Sequence, residues 1–420
     1  MIQSTQHITP LAFPFIEIEE AWALIRAYVS PLMPTTIPFQ ESLGHVLAED
    51  VRAEEPLPPF RAAVVDGYAL RAEDRDAWRE VVGEQRVGRA TEAEVGPGEA
   101  MWVATGAPVP PGADAVVEVE RTEEQGTRIR PLYTPTPGLN IRPVGYDIAA
   151  GEQVLHKGQR IDPAALGILA SVNALHVRVY PRPRVGVLST GDEVVEPGHP
   201  LRPGQIRDSN RYTLLAAVQT AGGIPVDLGT RPDEVEALED ALEQGLRETD
   251  MVITCGGVSM GNRDYMKDIL AQWGTIHFGR LRVKPGKPAT FATVAGKPVF
   301  ALPGNPVSAL VAFYLYVLPA LHILAGDTTW VHPQVRVKLA HPIHREPGRV
   351  EFQRARLRRE GGVLWAEVTG KQASSRLLSM VSADALIRLE ADWEEIPAGT
   401  EVPAILLNPE RIFQLTGGLP

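Results

Sequence analysis

The chain has 420 residues and a formal net charge of −11, and 44% of its residues are hydrophobic and 22% charged. This mix is typical of a globular protein with roughly two to four domains. The acidic balance argues against a nucleic-acid-binding surface as the main role, and the single cysteine, Cys255, excludes a disulfide framework or a multi-cysteine metal site.

The first residues lack the basic region and the continuous apolar run of a signal peptide. The longest apolar stretch, 309–326, contains Pro319, and we expect it to be a buried helix rather than a membrane span. We therefore expect a cytoplasmic protein.

The N-terminal part of the chain predicts helices. Ile18, Trp22 and Ile25 lie at helical spacing within 17–29, and a second helical stretch is expected over 41–51. Residues 146–175 predict a return to helix, in which Asp162 would be the N-cap before Pro163.

Between these helical parts the character of the sequence changes. Short β-rich pieces alternate with Pro and Gly turns, which predicts a separate β-rich domain over 54–143. The flanking stretches, 16–53 and 144–180, would then form one discontinuous helical linker domain.

The second half of the chain alternates apolar strand patterns with helical patterns over 181–329. Such alternation predicts an α/β domain whose parallel sheet is covered on both faces. From 330 to 420, short alternating strands separated by Gly and Pro predict a small C-terminal β-barrel or sandwich.

Three loops of the predicted α/β domain share one design: STGDE at 189–193, CGGVSMGNRD at 255–264 and LPGNPVS at 302–308. Each follows an apolar strand, and loops at the carboxyl ends of parallel strands gather at one edge of the sheet, where ligands bind. Glycine allows close backbone approach, and helix starts attract anions. A single loop of this kind is usually only a turn, whereas three favour a pocket.

None of these loops has the Walker A or the GxGxxG pattern, which disfavours a nucleotide triphosphatase or a dehydrogenase. A basic segment lies nearby, in which Arg280, Arg282, Lys284 and Lys287 fall within eight positions. The turn at Pro285-Gly286 is expected to aim both lysines at an anion. The alternative is a solvated strand face.

Carboxylates lie in these loops or between them, namely Asp192, Glu193, Asp208 and Asp264. Mg²⁺ commonly takes one or two protein carboxylates together with substrate phosphates. The sequence therefore suggests Mg²⁺ and a phosphorylated ligand. Alternatively, Asp208 only caps a helix and Asp264 only stabilises a helix dipole. Cys255 is expected to be a buried residue at a strand end, because no particular histidine is placed to activate it.

Seven motifs occur in order and together resemble one family: VDGYA (65–69), ATGAPVP (104–110), IRPVGYDI (141–148), STGDE, CGGVSMGNRD, KPGKP and LPGNPVSA (302–309). The chain resembles the molybdopterin molybdenumtransferases of molybdenum-cofactor biosynthesis, whose animal relative is the E domain of gephyrin. The resemblance extends from about residue 16 to beyond residue 390.

The resemblance implies that the α/β domain binds molybdopterin and that the C-terminal domain is a β-barrel. It implies Mg²⁺-dependent insertion of molybdate into adenylylated molybdopterin with release of AMP. It also implies an elongated homodimer, in which the helical linker domain serves dimerisation, and possible contacts with other cofactor-biosynthesis proteins. Neither a nucleic acid nor a membrane is expected as a partner.

Site residues follow from the motifs that match. The resemblance implies catalytic roles for Asp66, Asp264, Lys284 and Lys287, and metal binding by Glu193, Asp208 and Asp264. It implies substrate binding by eight further residues: Thr105, Arg142, Asp147, Ser259, Asn305, Ser308, Arg354 and Ser374.

The sequence also departs from the family pattern. Ala62 and Ala63 stand near the place of a polar pair, Tyr146 replaces a common acidic residue, and Ala373 replaces a glycine. These changes thin the polar lining and leave open altered activity or a tungsten-specific paralogue. Two further alternatives are a molybdopterin adenylyltransferase, which the β-rich domain argues against, and a non-enzymatic scaffold.

Overall fold

The computed structural model describes residues 13–89, 91–256, 264–327 and 334–407. These residues form two compact units. The first comprises the described parts of Met1–Thr35, Gly44–Ala48 and Arg178–Pro420, and the second comprises Thr36–Leu43 and Glu49–Val177.

The chain begins with a helix and three short strands: α1 (Ile18–Tyr28), β1 (Thr35–Pro38), β2 (Val46–Leu47) and β3 (Val51–Arg52). The helix predicted over 17–29 is confirmed, and it buries Ile18, Ala21 and Ile25. The helix predicted over 41–51 is wrong. A 3₁₀ turn ends at Glu41, and Gly44 turns the chain with a φ of 79°, a conformation that ends helical structure.

The second unit is rich in strands, as the turn pattern predicts: β4 (Ala62–Ala63), β5 (Gly67–Leu70), β6 (Arg79–Gln85), β7 (Glu99–Val103), β8 (Ala115–Glu118), β9 (Thr122–Gln125), β10 (Arg128–Pro131) and β11 (Ile141–Arg142). Six of them form a sheet in the order β8-β5-β7-β6-β10-β9, while β11 pairs with β4. Apolar clusters lie on both faces of this sheet, one around Met101 and Val116 and the other around Leu70 and Val117.

The stretch that follows contains β12 (Gln153–Leu155), α2 (Pro163–Ser171) and β13 (His176–Tyr180). The helix predicted over 146–175 is therefore wrong outside α2. Gly151 and Gly158 have positive φ angles, and the turns that they form break the chain before α2. The start of α2 is as predicted, because Asp162 Oδ1 accepts a hydrogen bond from Ala165 N at 2.7 Å.

The α/β part of the first unit contains the following elements in chain order: β14 (Arg184–Thr190), β15 (Val194–Val195), β16 (Ile206–Arg207), α3 (Asn210–Thr220), β17 (Ile224–Arg231), α4 (Val235–Glu248), β18 (Met251–Cys255), α5 (Tyr265–Trp273), β19 (Gly274–Phe278), β20 (Val283–Lys284), β21 (Thr290–Val294), β22 (Lys297–Leu302), α6 (Pro306–Ala312) and α7 (Leu318–Leu324).

The central sheet has six strands in the order β17-β14-β18-β22-β21-β19. The first four are parallel, as predicted. The last two are antiparallel additions that the strand–helix alternation does not signal. A two-residue hairpin at Ala295-Gly296, with φ angles of 50° and 77°, joins β21 to β22, because positive φ at both positions suits a tight hairpin.

Helices cover both faces of this sheet. On one face, Leu214 and Val218 of α3 share a core with Val187 of β14. On the other face, Leu242 of α4 and Leu270 of α5 pack in a second cluster. The predicted two-sided coverage is confirmed.

One continuous helical segment runs from Pro306 to Leu324 through a π-helical turn at Phe313–Val317. By length and apolar composition it resembles a membrane span, but 83% of its apolar window is buried inside the protein. This is the burial of a core helix, which agrees with the sequence-based prediction. Trp22 Nε1 donates a hydrogen bond to Leu315 O in the π-helical turn at 2.8 Å.

The C-terminal part contains β23 (Gln334–Leu339), β24 (Ile343–His344), β25 (Val350–Glu360), β26 (Val363–Val368), α8 (Leu378–Val381), β27 (Ala385–Leu389), β28 (Glu395–Ile396) and β29 (Glu401–Leu406). Pairing runs from β25 through β26, β23, β29 and β27 back to β25, so that the sheet closes. The predicted C-terminal β-barrel is confirmed. Strand β20 joins it in parallel with β25, and Lys284 lies opposite Glu351.

Candidate functional site

The carboxyl ends of β14, β18 and β22 lie side by side. Ser189 is in register with Cys255, and Cys255 with Leu302. The three loops singled out from the sequence therefore start from one edge of the sheet, as expected for parallel strands. Residues 257–263, which include the predicted substrate-binding Ser259, lie outside the described residues.

Gly256 shows why the loop after β18 begins with glycine. Its φ is 105°, and a Cβ at this position would lie 2.1 Å from Thr190 O. A side chain would therefore clash with the backbone of the neighbouring strand. Gly304 of the third loop lies next to Gly256. A Cβ added to Gly304 would be 3.7 Å from Gly256 Cα. Glycine thus allows the first, second and third loops to meet closely.

Asp208 is engaged in a buried ion pair. Its Oδ2 lies 3.0 Å from Arg211 Nε, and its Oδ1 accepts a hydrogen bond from Arg211 N at 3.0 Å. Thr230 Oγ1 donates a further bond to Oδ2 at 3.1 Å. Asp208 and Arg211 are only 3% and 4% exposed. Both carboxylate oxygens therefore already have protein partners, which fits a structural role better than the predicted metal role.

Arg211 is held by two more carboxylates, those of Glu196 and Asp227. Burial lowers the pKa of Arg211, but the hydrogen bonds and charges of Asp227 and Asp208 outweigh it and raise that pKa. The charge of this guanidinium is therefore permanent, and it neutralises Asp208 within the protein.

A second group of carboxylates gathers at the same edge of the sheet. Burial, and then the charges of Asp192 and Glu193, raise the pKa of Asp233, and Asp264 adds a smaller effect. Asp192 Oδ1 accepts a hydrogen bond from Asp233 N at 3.2 Å. The nearby Thr190 hydroxyl partly opposes this rise, but in the described part of the chain neither Asp233 Oδ1 nor Thr190 Oγ1, both buried, has a partner within hydrogen-bond distance. The orphaned carboxylate oxygen among like charges is suited to a cation.

Asp233 was missed in the sequence analysis. It follows the carboxyl end of β17, the strand next to β14, so the rule that identified the other loops applies to it too. Its loop, TRPDE, lacks the glycines that drew attention to the others. The position of Asp233 directly after a strand of the parallel sheet would have been enough to identify it as a candidate site residue.

Asp264 caps helix α5. Its Oδ1 accepts a hydrogen bond from Lys267 N at 3.2 Å, and its Oδ2 lies 3.1 Å from Lys267 Nζ. Burial nonetheless raises its pKa. Asp264 therefore does cap a helix. Its catalytic and metal-binding roles stay predictions.

The chemistry of this acidic group fits Mg²⁺, although within the described ranges no group of three or more His, Cys, Asp or Glu residues is arranged to hold a metal. Mg²⁺ keeps several waters and substrate oxygens, so one or two carboxylates suffice. Asp233 and Glu193 are available for that purpose, whereas Asp208 is not.

Lys284 lies in β20, and its Nζ is 3.3 Å from Glu351 Oε1 of the barrel. The sequence predicts that the turn aims both lysines at an anion. For Lys284 a carboxylate of the protein lies within reach, and Glu351 shares its single negative charge between Lys284 and Arg345. Lys284 remains partly exposed on the turn, and Gly286 after it has a φ of 105°.

Lys287 ends the same turn, and its carbonyl accepts a hydrogen bond from Leu281 N at 2.9 Å. Its ammonium lies 5.4 Å from the centre of the Phe15 ring. The turn packs on the start of α6, because a Cβ on Gly286 would lie 3.9 Å from Ser308 O.

Ser308, Asn305 and Ser374 meet at the start of α6. Asn305 is the exposed N-cap residue, and Ser308 is buried one turn later. Val307 N donates a hydrogen bond to Ser374 O at 3.0 Å, so a barrel loop closes on this helix start. Asn210 Nδ2 also donates to Gly304 O at 2.7 Å. The structure thus brings these three predicted substrate-binding residues together.

Arg354 lies behind that barrel loop rather than in the open. It is 1% exposed, and its guanidinium donates to Ser379 Oγ and Ala373 O at 3.1 and 3.2 Å. Burial lowers its pKa to about 10. Its contacts fit a residue that holds the loop around Ser374, so direct substrate binding remains a prediction.

In the second unit, Asp66 and Thr105 form one hydrogen-bonded pair. Asp66 Oδ1 accepts bonds from Thr105 N and Thr105 Oγ1 at 2.7 and 2.8 Å, and both lower the pKa of Asp66. Gly67 follows in β5, and a Cβ there would lie 2.1 Å from Val117 O. The DGYA motif therefore presents an exposed, ionised carboxylate just ahead of a tightly paired strand.

Arg142 lies opposite Ala62 in the β11–β4 pair. Its guanidinium lies 5.5 Å from the centre of the Tyr146 ring, and Tyr146 is 62% exposed. Asp147 is exposed on the same loop. Ala62 and Ala63 are buried strand residues, so these two departures from the family pattern do not change the exposed surface.

Cys255 is fully buried, and its Sγ lies 3.3 Å from Pro303 O. Burial raises the pKa of its thiol to about 12. A thiol that stays protonated is a poor nucleophile, which agrees with the structural role expected from the sequence.

Three family models match the chain. They are the MoeA N-terminal region (domain I and II) over residues 16–173, a probable molybdopterin binding domain over 186–323, and the MoeA C-terminal region (domain IV) over 336–407. The fold and site thus define a protein of molybdenum-cofactor biosynthesis.

Relatives support this over nearly the whole chain. Molybdopterin molybdenumtransferase 2 of Mycobacterium tuberculosis is 36% identical over 92% of this chain and 98% of its own length. The gephyrin of Dictyostelium discoideum is 35% identical over 88% of this chain, which spans only 59% of that relative. A crystal structure of a molybdopterin biosynthesis protein from Pyrococcus horikoshii covers 94% of this chain with a TM-score of 0.82 and 31% identity. The chain belongs to the molybdopterin molybdenumtransferase family, and it is an enzyme of that kind.

Proposed function

We propose that the protein inserts molybdate into adenylylated molybdopterin in a Mg²⁺-dependent reaction that releases AMP. The observation that carries this proposal is the buried Oδ1 of Asp233, which has no hydrogen-bond partner among the described residues and lies among the carboxylates of Asp192, Glu193 and Asp264. A cation would stabilise this arrangement, and an anionic substrate would bring its own oxygen ligands to that cation.

In this proposal Asp233 and Glu193 would hold Mg²⁺ together with phosphate oxygens of the substrate, and Asp264, whose charge raises the pKa of Asp233, would add negative charge at the same place. When bound, the metal offsets the charge of the phosphoanhydride and of the leaving AMP. Asp208 is assigned instead to the buried pair with Arg211, which keeps the loop after β16 in place.

The anionic parts of the substrates are assigned to the turn beside α6. Lys284 and Lys287 supply positive charge, while Asn305, Ser308 and Ser374 supply polar groups around the helix start. The helix start adds the positive end of the helix dipole, which favours phosphate and oxyanions such as molybdate, although Pro306 has no N–H and Val307 N already donates to Ser374 O. Arg354 supports the loop that carries Ser374.

The second unit would contribute further substrate contacts through Asp66, Thr105, Arg142 and Asp147. Hydrogen bonds from Thr105 keep Asp66 ionised, so Asp66 acts as a hydrogen-bond acceptor or a base. We also propose a cytoplasmic homodimer, which rests on family membership and is tested by sedimentation of the purified protein.

The reaction requires an oxygen of water or molybdate to attack the phosphoanhydride, whose P–O bond breaks as AMP leaves. In the coupled metal step, the two dithiolene thiolates replace one oxo group of molybdate, which takes up two protons and leaves as water, so that the oxidation state of molybdenum does not change. Charge stabilisation and positioning supply the catalysis, and no Ser or Cys nucleophile takes part.

The test is AMP release from adenylylated molybdopterin by the purified protein, with Mg²⁺ or molybdate omitted in turn. Wild-type protein should release AMP only when both are present, and Asp233→Asn should release at least about tenfold less. The control is Asp250→Asn. Asp250 lies just before β18, and its carboxylate accepts a hydrogen bond from Arg184 N. Adenylylation of molybdopterin from ATP would instead indicate an adenylyltransferase, and no turnover by folded protein would indicate a scaffold.

A further inference from the structure

Thr190, the last residue of β14, carries a buried hydroxyl to which the proposed function assigns no role. The residue is 2% exposed, and within the described ranges its Oγ1 has no hydrogen-bond partner. A hydroxyl that is buried without a partner costs free energy, so its presence in a packed sheet requires an explanation. A ligand that interacts with this hydroxyl would remove that cost.

The alternation of side chains along β14 decides on which face of the sheet this hydroxyl lies. Val187 belongs to the core cluster that includes α3, whereas Leu188 belongs to the cluster that includes α4 and α5. Residues two positions apart on a strand share a face, so Thr190 lies on the same face as Leu188. The hydroxyl is therefore at the carboxyl end of the face that α4 and α5 cover.

Two carboxylates lie at the same end of the same face, because each precedes one of the two covering helices. Asp233 comes two residues before α4, and Asp264 is the N-cap of α5. The Thr190 hydroxyl is close enough to Asp233 to oppose the rise in the pKa of that carboxyl. Asp208 pairs with Arg211 of α3 and so belongs to the other face. Thr190 thus shares its face with the proposed metal ligand Asp233.

Two oxygen atoms without partners therefore lie close together. In the part of the chain that the structure describes, Asp233 Oδ1 and Thr190 Oγ1 are both buried and both lack a hydrogen bond. A direct hydrogen bond between them would have satisfied both atoms. Their arrangement instead leaves the lone pairs of both oxygens available to a third group. A carboxylate and a hydroxyl are ligands that suit Mg²⁺.

Gly256 keeps side-chain atoms away from this hydroxyl. A Cβ on Gly256 would lie 2.9 Å from Thr190 Oγ1 and 2.1 Å from Thr190 O. Any other residue at this position would therefore press on the hydroxyl as well as on the backbone of β14. The glycine at the start of the second loop is thus required for a hydroxyl that binds a ligand, and not only for the close packing of the loops.

We propose that the Thr190 hydroxyl is a further protein ligand of the cation, beside Asp233, so that the metal site includes the last residue of β14. The proposal rests on the proposed function, which assigns Mg²⁺ to Asp233 and Glu193. It gives a chemical role to the threonine of the STGDE loop, of which the sequence analysis used only the carboxylates.

The first test is binding of Mn²⁺, a paramagnetic substitute for Mg²⁺, followed by EPR with and without AMP. Thr190→Val keeps the shape of the side chain but removes the hydroxyl, and it should weaken Mn²⁺ binding about tenfold. Thr190→Ser keeps the hydroxyl and should bind Mn²⁺ within about threefold of wild type. Equal Mn²⁺ affinity in Thr190→Val and wild type would overturn the proposal, as would Thr190→Ser being as weak as Thr190→Val.

Thr254→Val is the matched control. Thr254 lies in β18 opposite Leu188, and among the described residues its buried hydroxyl also has no partner. Each valine variant should leave the Tm of the metal-free protein unchanged or higher, because a buried polar atom without a partner is removed. Only Thr190→Val should also weaken Mn²⁺ binding. If it lowers the metal-free Tm and leaves Mn²⁺ binding unchanged, the hydroxyl is structural and the proposal is overturned.

Thr190→Cys distinguishes a metal ligand from a hydroxyl that only orients Asp233. Sulfur is a poor ligand for hard cations such as Mg²⁺ and Mn²⁺ but a good one for the soft cation Cd²⁺. The variant should therefore bind Mn²⁺ more weakly than wild type and Cd²⁺ more tightly, with the ultraviolet absorbance of a cadmium–thiolate bond. Weaker Mn²⁺ binding without any gain in Cd²⁺ binding would show that the hydroxyl is not a ligand.

These binding measurements separate failure of this proposal from failure of the proposed function. A wild-type protein that binds Mn²⁺ in a Thr190-dependent way but releases no AMP would overturn the proposed reaction and support the ligand. Mg²⁺-dependent AMP release by wild type, with the Mn²⁺ affinity of Thr190→Val unchanged, would overturn the ligand alone. A wild-type protein that binds no Mn²⁺, with or without AMP, would overturn both.

Discussion

Lys284 Nζ lies 3.3 Å from Glu351 Oε1, and this contact ties the turn of the α/β part to the barrel. Glu351 also lies 2.9 Å from Arg345 Nε through its other oxygen. One buried carboxylate thus pairs with a partly exposed lysine and a buried arginine, and its charge offsets only one of the two. Removal of Glu351 and removal of Lys284 should therefore have different consequences.

Glu351→Gln should lower the free energy of unfolding by about 3 kcal/mol, because it leaves Arg345 as a buried charge without its carboxylate. Lys284→Met should cost less than about 1 kcal/mol, because Lys284 is partly exposed, yet it should strongly reduce AMP release. Urea denaturation and AMP release measured on both variants check this. Equal losses of stability in the two variants would contradict it.

Thr105→Val should raise the pKa of Asp66 part of the way toward its ordinary value, because it removes the hydrogen bond from Thr105 Oγ1 and keeps the stronger one from Thr105 N. A lowered pKa in the folded state contributes stability that is present above the ordinary pKa and is lost as pH falls through the folded value. The variant should therefore differ from wild type least in strong acid. Carboxyl NMR titration of Asp66 measures the shift, with Thr105→Ser as the control that retains the hydroxyl.

Asp233→Asn should raise Tm near neutral pH in the absence of metal. The pKa of Asp233 is raised, so its contribution to stability is full below the ordinary pKa of Asp and is lost as pH rises through the raised folded value. The advantage of the variant should thus shrink from about pH 7.5 to about pH 4. A Tm difference that does not vary with pH would show that Asp233 is not strained by its neighbours.

Arg211→Met should lower the free energy of unfolding by about 3–5 kcal/mol, because it leaves Asp208 buried without its partner. If Asp208 is structural, Mg²⁺ should raise the Tm of Asp208→Asn as much as that of wild type. The same Mg²⁺ concentration should have little effect on Asp233→Asn, because the proposed ligand is removed. Loss of the Mg²⁺ effect in Asp208→Asn would return Asp208 to the metal site.

Much of the fold follows from local pattern. Periodicity predicts α1 and the strand–helix alternation around β14, β17, β18 and β22, because these elements bury one face or two in a regular way. The helices predicted over 41–51 and 146–175 fail where glycines such as Gly44 and Gly151 adopt positive φ. A helical spacing of apolar residues cannot reveal such turns.

The site is less predictable because it depends on partners distant in sequence. The motifs single out Asp208 and Lys284 as chemically active groups, but the sequence does not say that Arg211 and Glu351 balance their charges. Phe15 lies more than 260 positions from Lys287 in the sequence, yet its ring centre lies 5.4 Å from Lys287 Nζ. Asp233 could have been found, because its position at a strand end follows the rule already applied to the other loops.

The most direct test of the central claim is to follow molybdenum itself in a single turnover. Purified protein, adenylylated molybdopterin, Mg²⁺ and molybdate are combined, and the pterin product is analysed for metal by mass spectrometry while AMP is quantified. The account predicts one molybdenum per AMP released, and neither product from Asp233→Asn. AMP release without metal in the pterin would contradict it.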